Sequence, residues 1–217
     1  MGKLFIIFVI ELMARQFVLA QGEITYLSNL GQAPTGSNPV GGDSWIASTF
    51  RTGNNGSGYL LDSVQLGMTD VAGNPSGFTA MIFTMVGDAG SNPGSSLGIL
   101  TGPANPSTVG TYTYTEDSNL ILLPGTIYFI VLTAGTTVAN GAYEWSLTSP
   151  ISYGPSGGWG SAGGVWKSSD GSSWHYGPGA PLFAITATPV PEPSAKILLS
   201  SGGILLLGFG RWKAKSV

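Results

Sequence analysis

The sequence predicts an all-β fold, a β-sandwich or jelly roll, for residues 21–188. Three observations predict it. Short runs rich in Tyr, Phe, Val, Ile and Thr, residues that fit a pleated surface, recur with Gly- and Pro-rich turns between them. No stretch of 21–188 carries apolar residues at helical spacing with caps. Hydrophobic residues make up 42% of the chain beside 34 glycines and 14 prolines. That is too apolar for a disordered chain and leaves many turns between short strands.

The expected strands, in order, are 24–28, 45–50, 59–66, 78–86, 97–101, 111–115, 120–123, 127–133, 143–148, 165–167 and 182–188. Turn clusters separate them. Gly53-Asn54-Asn55-Gly56-Ser57-Gly58 follows the second strand, and Ala72-Gly73-Asn74-Pro75-Ser76-Gly77 follows the third. Asn92-Pro93-Gly94 precedes the fifth, and Pro124-Gly125 divides the seventh from the eighth. Thr111-Tyr112-Thr113-Tyr114-Thr115 alternates polar and aromatic, as a strand with one wet face does. Residues 78–86 and 127–132 are apolar on both faces and are expected near the centre. Gly157-Gly158 lies in the first of two long Gly/Ser loops, 149–164 and 168–179.

The two ends read differently from the middle. Lys3, the apolar stretch 4–10 and Val18-Leu19-Ala20 form an export signal, with cleavage expected before Gln21. Glu11 and Arg15 interrupt it, and a plain N-terminal strand is the alternative. At the other end, Pro191-Glu192-Pro193 precedes an apolar run at 197–210, then Arg211, Lys213 and Lys215. Prolines keep the motif extended, the run is expected to enter a bilayer as a helix, and the cations stop transfer. Fourteen residues rise only ~21 Å as a helix, against a ~30 Å hydrocarbon core. Crossing therefore requires thinning of the bilayer, with Lys196 and Arg211 reaching its two surfaces. The alternative is a buried terminal element of the globular domain. The expected partition is a signal peptide at 1–20, the β domain at 21–188 and a sorting or anchor segment at 189–217.

Proline motif, apolar run and basic end together resemble the PEP-CTERM sorting signal of bacterial envelope proteins. The resemblance implies a partner, an exosortase-type membrane peptidase that cuts near Pro191-Glu192-Pro193. It also implies export, membrane association in transit and release to the cell surface. The middle carries a second resemblance, in Trp45-Ile46-Ala47-Ser48-Thr49-Phe50-Arg51-Thr52-Gly53, Tyr59-Leu60-Leu61-Asp62-Ser63-Val64-Gln65-Leu66, Pro93-Gly94-Ser95-Ser96-Leu97, Leu100-Thr101-Gly102-Pro103, Gly110-Thr111-Tyr112-Thr113-Tyr114-Thr115 and Leu123-Pro124-Gly125-Thr126-Ile127-Tyr128-Phe129-Ile130-Val131-Leu132. These resemble the choice-of-anchor group of surface domains, most nearly type R. That implies surface display, and no activity or site residue comes with it.

Charge separates the middle from the ends. Of eight basic residues only Arg51 and Lys167 lie within 21–188, against nine carboxylates, a net charge of −7. Two cations cannot neutralise the several phosphates that nucleic-acid binding requires. No cysteine is present, which removes thiol catalysis and Cys-ligated metals. A domain of this size can bury an adequate core without disulfides.

Catalytic motifs are weak. Gly94-Ser95-Ser96-Leu97-Gly98 matches a nucleophile elbow but lacks a following helix, so a turn into a strand is expected. His175 is the single histidine, which precludes a His-pair metal site. Its use with Asp170 and a serine, or as a plain loop residue, stays open. Glu116-Asp117 are neighbours whose side chains diverge in an extended chain, and Glu144 lies between Tyr143 and Trp145. Asp62, Asp70, Asp88 and Asp170 could bind calcium only without an Asp-x-Asp-x-Asp-Gly loop. No catalytic residue, metal or cofactor is expected.

The aromatics are the remaining lead. Trp145, Trp159, Trp166 and Trp174 crowd with Tyr143, Tyr153 and Tyr176 into residues 143–176. Trp159, Trp174 and Tyr176 are the candidate sugar-binding residues, because flat rings on exposed loops hold sugar faces. Core packing is the alternative for each tryptophan. The expected function is a non-catalytic structural or adhesive surface protein. A module for a neutral polysaccharide is the alternative, and a glycosidase or other hydrolase comes third.

Overall fold

The structure, a computed structural model, describes residues 22–87, 92–149, 153–154 and 157–192. The expected signal segment, Pro193, the 197–210 run, Arg211, Lys213 and Lys215 lie outside the described residues. The chain divides into a unit Glu23–Val190 and a second unit of Met1–Gly22 with Pro191–Val217.

The Glu23–Val190 unit is all-β, with no helix among the described residues. Its strands are β1 (Ile24–Ser28), β2 (Gly36–Val40), β3 (Trp45–Arg51), β4 (Tyr59–Gly73), β5 (Thr79–Val86), β6 (Asn92–Leu100) and β7 (Gly110–Thr115). Then follow β8 (Ile121–Leu122), β9 (Ile127–Thr133), β10 (Gly141–Thr148), β11 (Val165–Ser168), β12 (His175–Gly177), β13 (Ala180–Pro181) and β14 (Phe183–Pro189). An eight-stranded sheet runs β1-β14-β4-β10-β13, with β2 on β10 and β7 and β8 on β4. A six-stranded sheet runs β12-β11-β3-β9-β5-β6.

Both sheets contribute to one core. Ile46 and Phe50 of β3 and Tyr128, Ile130 and Leu132 of β9 enter it from the six-stranded sheet. Val64 and Leu66 of β4, Tyr143 and Trp145 of β10, and Phe183 and Ile185 of β14 enter it from the other. Each such side chain taken from water is worth about 1.5–3 kcal/mol. The Trp145 indole N–H donates to the Leu182 carbonyl at 2.9 Å, so its burial leaves no orphan donor.

The six-stranded sheet is apolar on its other face as well. Ala47, Met81, Phe83, Phe129, Val131 and Trp166 form a second buried cluster. Successive residues of β9 alternate between the two clusters, which is why 127–132 reads as apolar without a period of two. Cross-strand registry places Tyr176, Trp166, Ala47, Val131, Met81 and Ile99 in one row across all six strands.

Four departures from the expected strands have physical reasons. β4 continues past residue 66 to Gly73. Gly67 lets it do so: a Cβ there would lie 2.8 Å from the Leu182 Cβ, while its N–H donates to Leu182 O. β2 contains Pro39 and pairs only with β10, so the missing N–H removes no bond to a second neighbour. β12 lies within the stretch read as a loop and pairs with β11 at Trp166↔Tyr176. β6 begins at Asn92, so Gly94-Ser95-Ser96-Leu97-Gly98 is strand throughout rather than a turn into one.

Candidate functional site

Among the sequence-selected aromatics the structure distinguishes core residues from surface ones. Trp145 and Tyr143 are fully buried on β10, and Tyr143 meets Phe78 edge-on at 5.0 Å. Trp166 is buried on β11 and stands edge-on to Phe129, ring centroids 5.0 Å apart. Tyr153 packs on Phe183 at 5.3 Å, and burial raises its phenol pKa.

Trp159 corrects an expectation. Its ring is 3% exposed, stacked between Tyr26 at 4.9 Å and Phe50 at 6.1 Å. The glycine-rich loop that carries it is tied down. Arg51 and Gly160 exchange both backbone hydrogen bonds, at 2.7 and 3.0 Å, and the Ser161 hydroxyl donates to Thr49 O at 2.7 Å. Gly157 and Gly158, both at positive φ, turn the chain just before the ring. A ring enclosed this way has no free face for a sugar.

Trp174 and Tyr176 lie at the β11–β12 edge. Tyr176 is 67% exposed and meets Trp166 edge-on at 5.0 Å. Gly164 makes room for it: at φ +93, a Cβ there would lie 2.3 Å from the Tyr176 ring. Trp174 is partly buried against the second cluster, as is Trp45. The loop between β11 and β12 is held by Asp170, whose Oδ1 accepts from Ser172 N at 2.8 Å, Ser173 N at 3.1 Å and Ser168 Oγ at 3.0 Å. These hydrogen bonds, the two backbone ones first, hold its carboxyl well below the usual carboxylate range. Gly171 of this loop packs on the Trp45 ring, where a Cβ would lie 2.9 Å from it. Tyr176, on the edge strand β12, is therefore the freely exposed ring of this region, while Trp174 and Trp45 are partly buried.

Besides Asp170, five carboxylates accept hydrogen bonds from the fold itself. Glu116 accepts from Ser118 N and Leu120 N, and Asp117 accepts from the Thr101 hydroxyl. Asp43 accepts from Val138 N, Asp70 from Val109 N, and Asp62 from the Thr188 hydroxyl. Burial raises the Asp62 pKa, the Thr188 bond opposes this, and nearby Glu23 adds to it. Glu144 sits on β10 opposite Pro39 and Thr69. His175 pairs with Lys167 across β11–β12 and is exposed. No group of three His, Cys, Asp or Glu residues suited to a metal occurs among the described residues, and Asp88 lies outside them.

No protein-family model and no curated protein matches this chain. Residue geometry is therefore the basis for reading its role.

Proposed function

We propose that this chain is an exported bacterial surface or extracellular-matrix protein, with a non-catalytic structural or adhesive role in an envelope or exopolysaccharide layer. Its ectodomain is a β-sandwich, with the two sheets packed over the shared core. One observation carries the reading. Val190 is the last residue of the Glu23–Val190 unit. Its N–H donates to Gly58 O at 3.0 Å and its carbonyl accepts from Asn55 Nδ2 at 2.9 Å. Pro191 and Glu192 follow at once and are exposed. The Pro191-Glu192-Pro193 motif thus begins directly after the last residue of that unit, which supports recognition and cutting there by an exosortase-type peptidase. The 197–210 run and the cations Arg211, Lys213 and Lys215 then act as a transit helix and its stop. The engagement of six carboxylates in the fold's own hydrogen bonds supports a role without catalysis.

Mass spectrometry of the protein recovered from its host tests this. The expected mature form begins near Gln21 and ends near residue 190. Peptides covering 213–217 in the exported pool would overturn removal of the tail.

The exposed Tyr176 favours a second reading, weak binding of a neutral polysaccharide at the β12 edge. One stacked ring is worth about 1–2 kcal/mol, so such a site works through many copies on one polymer. Tyr176→Ala is expected to lower retention on neutral polysaccharide without lowering the melting temperature. Unchanged retention would remove this reading and leave the structural one.

A further inference from the structure

The last rows of the eight-stranded sheet bring exposed aliphatic side chains to the place where the tail departs. Tyr59 and Leu60 of β4 pair with both β14 and β8, so those strands flank β4 here. Thr188, Leu60 and Ile121 stand abreast, and Pro189, Tyr59 and Leu122 form the next row. Beyond it, Val190 N donates to Gly58 O at 3.0 Å. Gly58 closes on β8 from its other side: a Cβ there would lie 2.6 Å from Leu122 O and 3.3 Å from Ile121 Cγ2. Leu123 and Val190 are therefore two strand spacings apart, about 10 Å.

Alternation along the strands sorts these side chains. Tyr59 and Leu122 are buried in the core. Leu60 is half-buried, while Ile121 and Leu123 are 51% and 60% exposed. Single exposed aliphatics are ordinary on a protein surface. Here two stand two residues apart on one face, beside a third, at the root of the tail. The segments that build this end, 52–61 and 118–127, hold no charged residue, in a domain of net charge −7. Asp62 with Glu23 near it stands further along the face, and Arg51 and Glu192 border it. Entry into a lipid phase is thereby confined to the tip.

The chain beyond Val190 supplies the occupant. Six residues, 191–196, precede the apolar run at 197–210. Fully extended they reach only about 20 Å. With that run in a bilayer, Val190 stays within this distance of the membrane.

We infer that Ile121, Leu123 and Leu60 dock on the surface of the bilayer that receives 197–210, an inference that rests on the proposed membrane entry of that run. The aliphatic side chains enter at the depth of the headgroups. The lipid is zwitterionic, because anionic headgroups repel a domain of net charge −7. Three partly entered side chains hold a tethered domain but not a free one. Docking keeps Pro191-Glu192-Pro193 at the membrane surface, within reach of a membrane peptidase, and removal of the tail releases the domain.

The chain has no cysteine, so single cysteines carrying an environment-sensitive nitrobenzoxadiazole label report without background. Asn54→Cys, Val109→Cys and Leu206→Cys full-length proteins are reconstituted in phosphatidylcholine vesicles, with and without bromine near the headgroup end of the acyl chains. Asn54 is exposed beside Gly125 at the tip. Val109 is 68% exposed, but its N–H donates to Asp70, which lies about 35 Å along β4 from Tyr59. Position 206 reports the apolar run. Bromine is expected to quench the label at 54 about twofold, the label at 206 more, and the label at 109 not at all. Ile121→Ser with Leu123→Ser should restore emission at 54 and leave 206 quenched. Quenching at 206 without quenching at 54 would overturn docking and leave membrane entry standing. No quenching at 206 would overturn both. A blue shift at 54 without bromine quenching would mean that a second copy covers the patch, and would overturn the lipid assignment. So would equal quenching at 54 and 109, or unchanged quenching at 54 in a folded double-serine variant. The comparison of 54 with 109 decides even if that variant fails to fold.

Discussion

The Trp159 indole lies on the Tyr26 ring with centroids 4.9 Å apart and planes only 9° from parallel. This contact joins the 157–160 segment to β1 of the eight-stranded sheet, while Phe50 on the other side belongs to β3 of the six-stranded sheet. A single side chain thus links both sheets at one end of the core. Its Nε1 is buried without a partner, so the ring is held by packing alone.

Trp159→Ala is therefore expected to destabilise the domain by about 3–5 kcal/mol. Trp159→Phe should cost less, because it keeps a stacked ring and removes the unpaired donor. Urea denaturation of the three proteins measures both. A loss below ~1 kcal/mol for the alanine variant would contradict an enclosed ring.

Asn29 is a buried polar side chain whose amide is engaged at both its nitrogen and its oxygen. Its Nδ2 donates to Pro181 O at 2.9 Å and its Oδ1 accepts from Phe183 N at 2.7 Å, which pins the end of β1 to β13 and β14. Asn29→Ala leaves both backbone groups buried and unpaired, a loss of about 2–4 kcal/mol. Amide exchange at Phe183 should accelerate together with the fall in the denaturation midpoint.

Phe129 is fully buried in the second cluster, against Trp166. Phe129→Ala is expected to cost about 3–5 kcal/mol, and Phe129→Leu much less. The near-ultraviolet circular dichroism of Trp166 should change in the alanine variant. A near-neutral alanine variant would mean that the outer face of the six-stranded sheet contributes little to stability.

Two carboxylates give stability opposite dependences on pH. Asp170 has a depressed pKa in the folded state, so its contribution is present above the unfolded value and is lost as pH falls. Asp62 has a raised pKa, so the folded state binds its proton more tightly and gains stability as pH falls through that raised value. Thermal melts from about pH 6 down to pH 3 bracket the unfolded aspartate value. Asp170→Asn should flatten the loss of melting temperature on acidification, and Asp62→Asn should steepen it. Identical slopes in all three proteins would contradict both assignments. Because Asp170 is exposed, added salt should shrink its share.

The strands that read best from sequence are those whose own residues decide them. Ile24–Ser28 and Ile127–Thr133 have the expected bounds, because β-rich residues fill both and Gly or Pro punctuates their surroundings. Strands fixed by a partner did not read. Gly36-Ser37-Asn38-Pro39-Val40 has little β propensity and exists because β10 offers it an edge. His175–Gly177 is similarly set by Trp166 and Val165 across the ladder. The same divide holds for the candidate sugar residues. A tryptophan beside Gly157-Gly158 reads as a loop-tip ring, yet long-range bonds between Gly160 and Arg51 fold the segment back over the core. Local sequence carries no record of contacts made a hundred residues away.

The pairing of β1 with β14 has a consequence for how the molecule is made. Ile24 sits opposite Ala187, and Thr25 shares a hydroxyl contact with Thr186, 161 positions later. β1 thus waits for β14 before it can gain its neighbour, and such long-range closures slow folding. A nascent chain with its final strand still missing has an unfinished eight-stranded sheet and no complete core. The eight-stranded sheet therefore closes only when β14 has been made, and until then the polypeptide stays loose enough to be threaded through a narrow channel or cut by a protease.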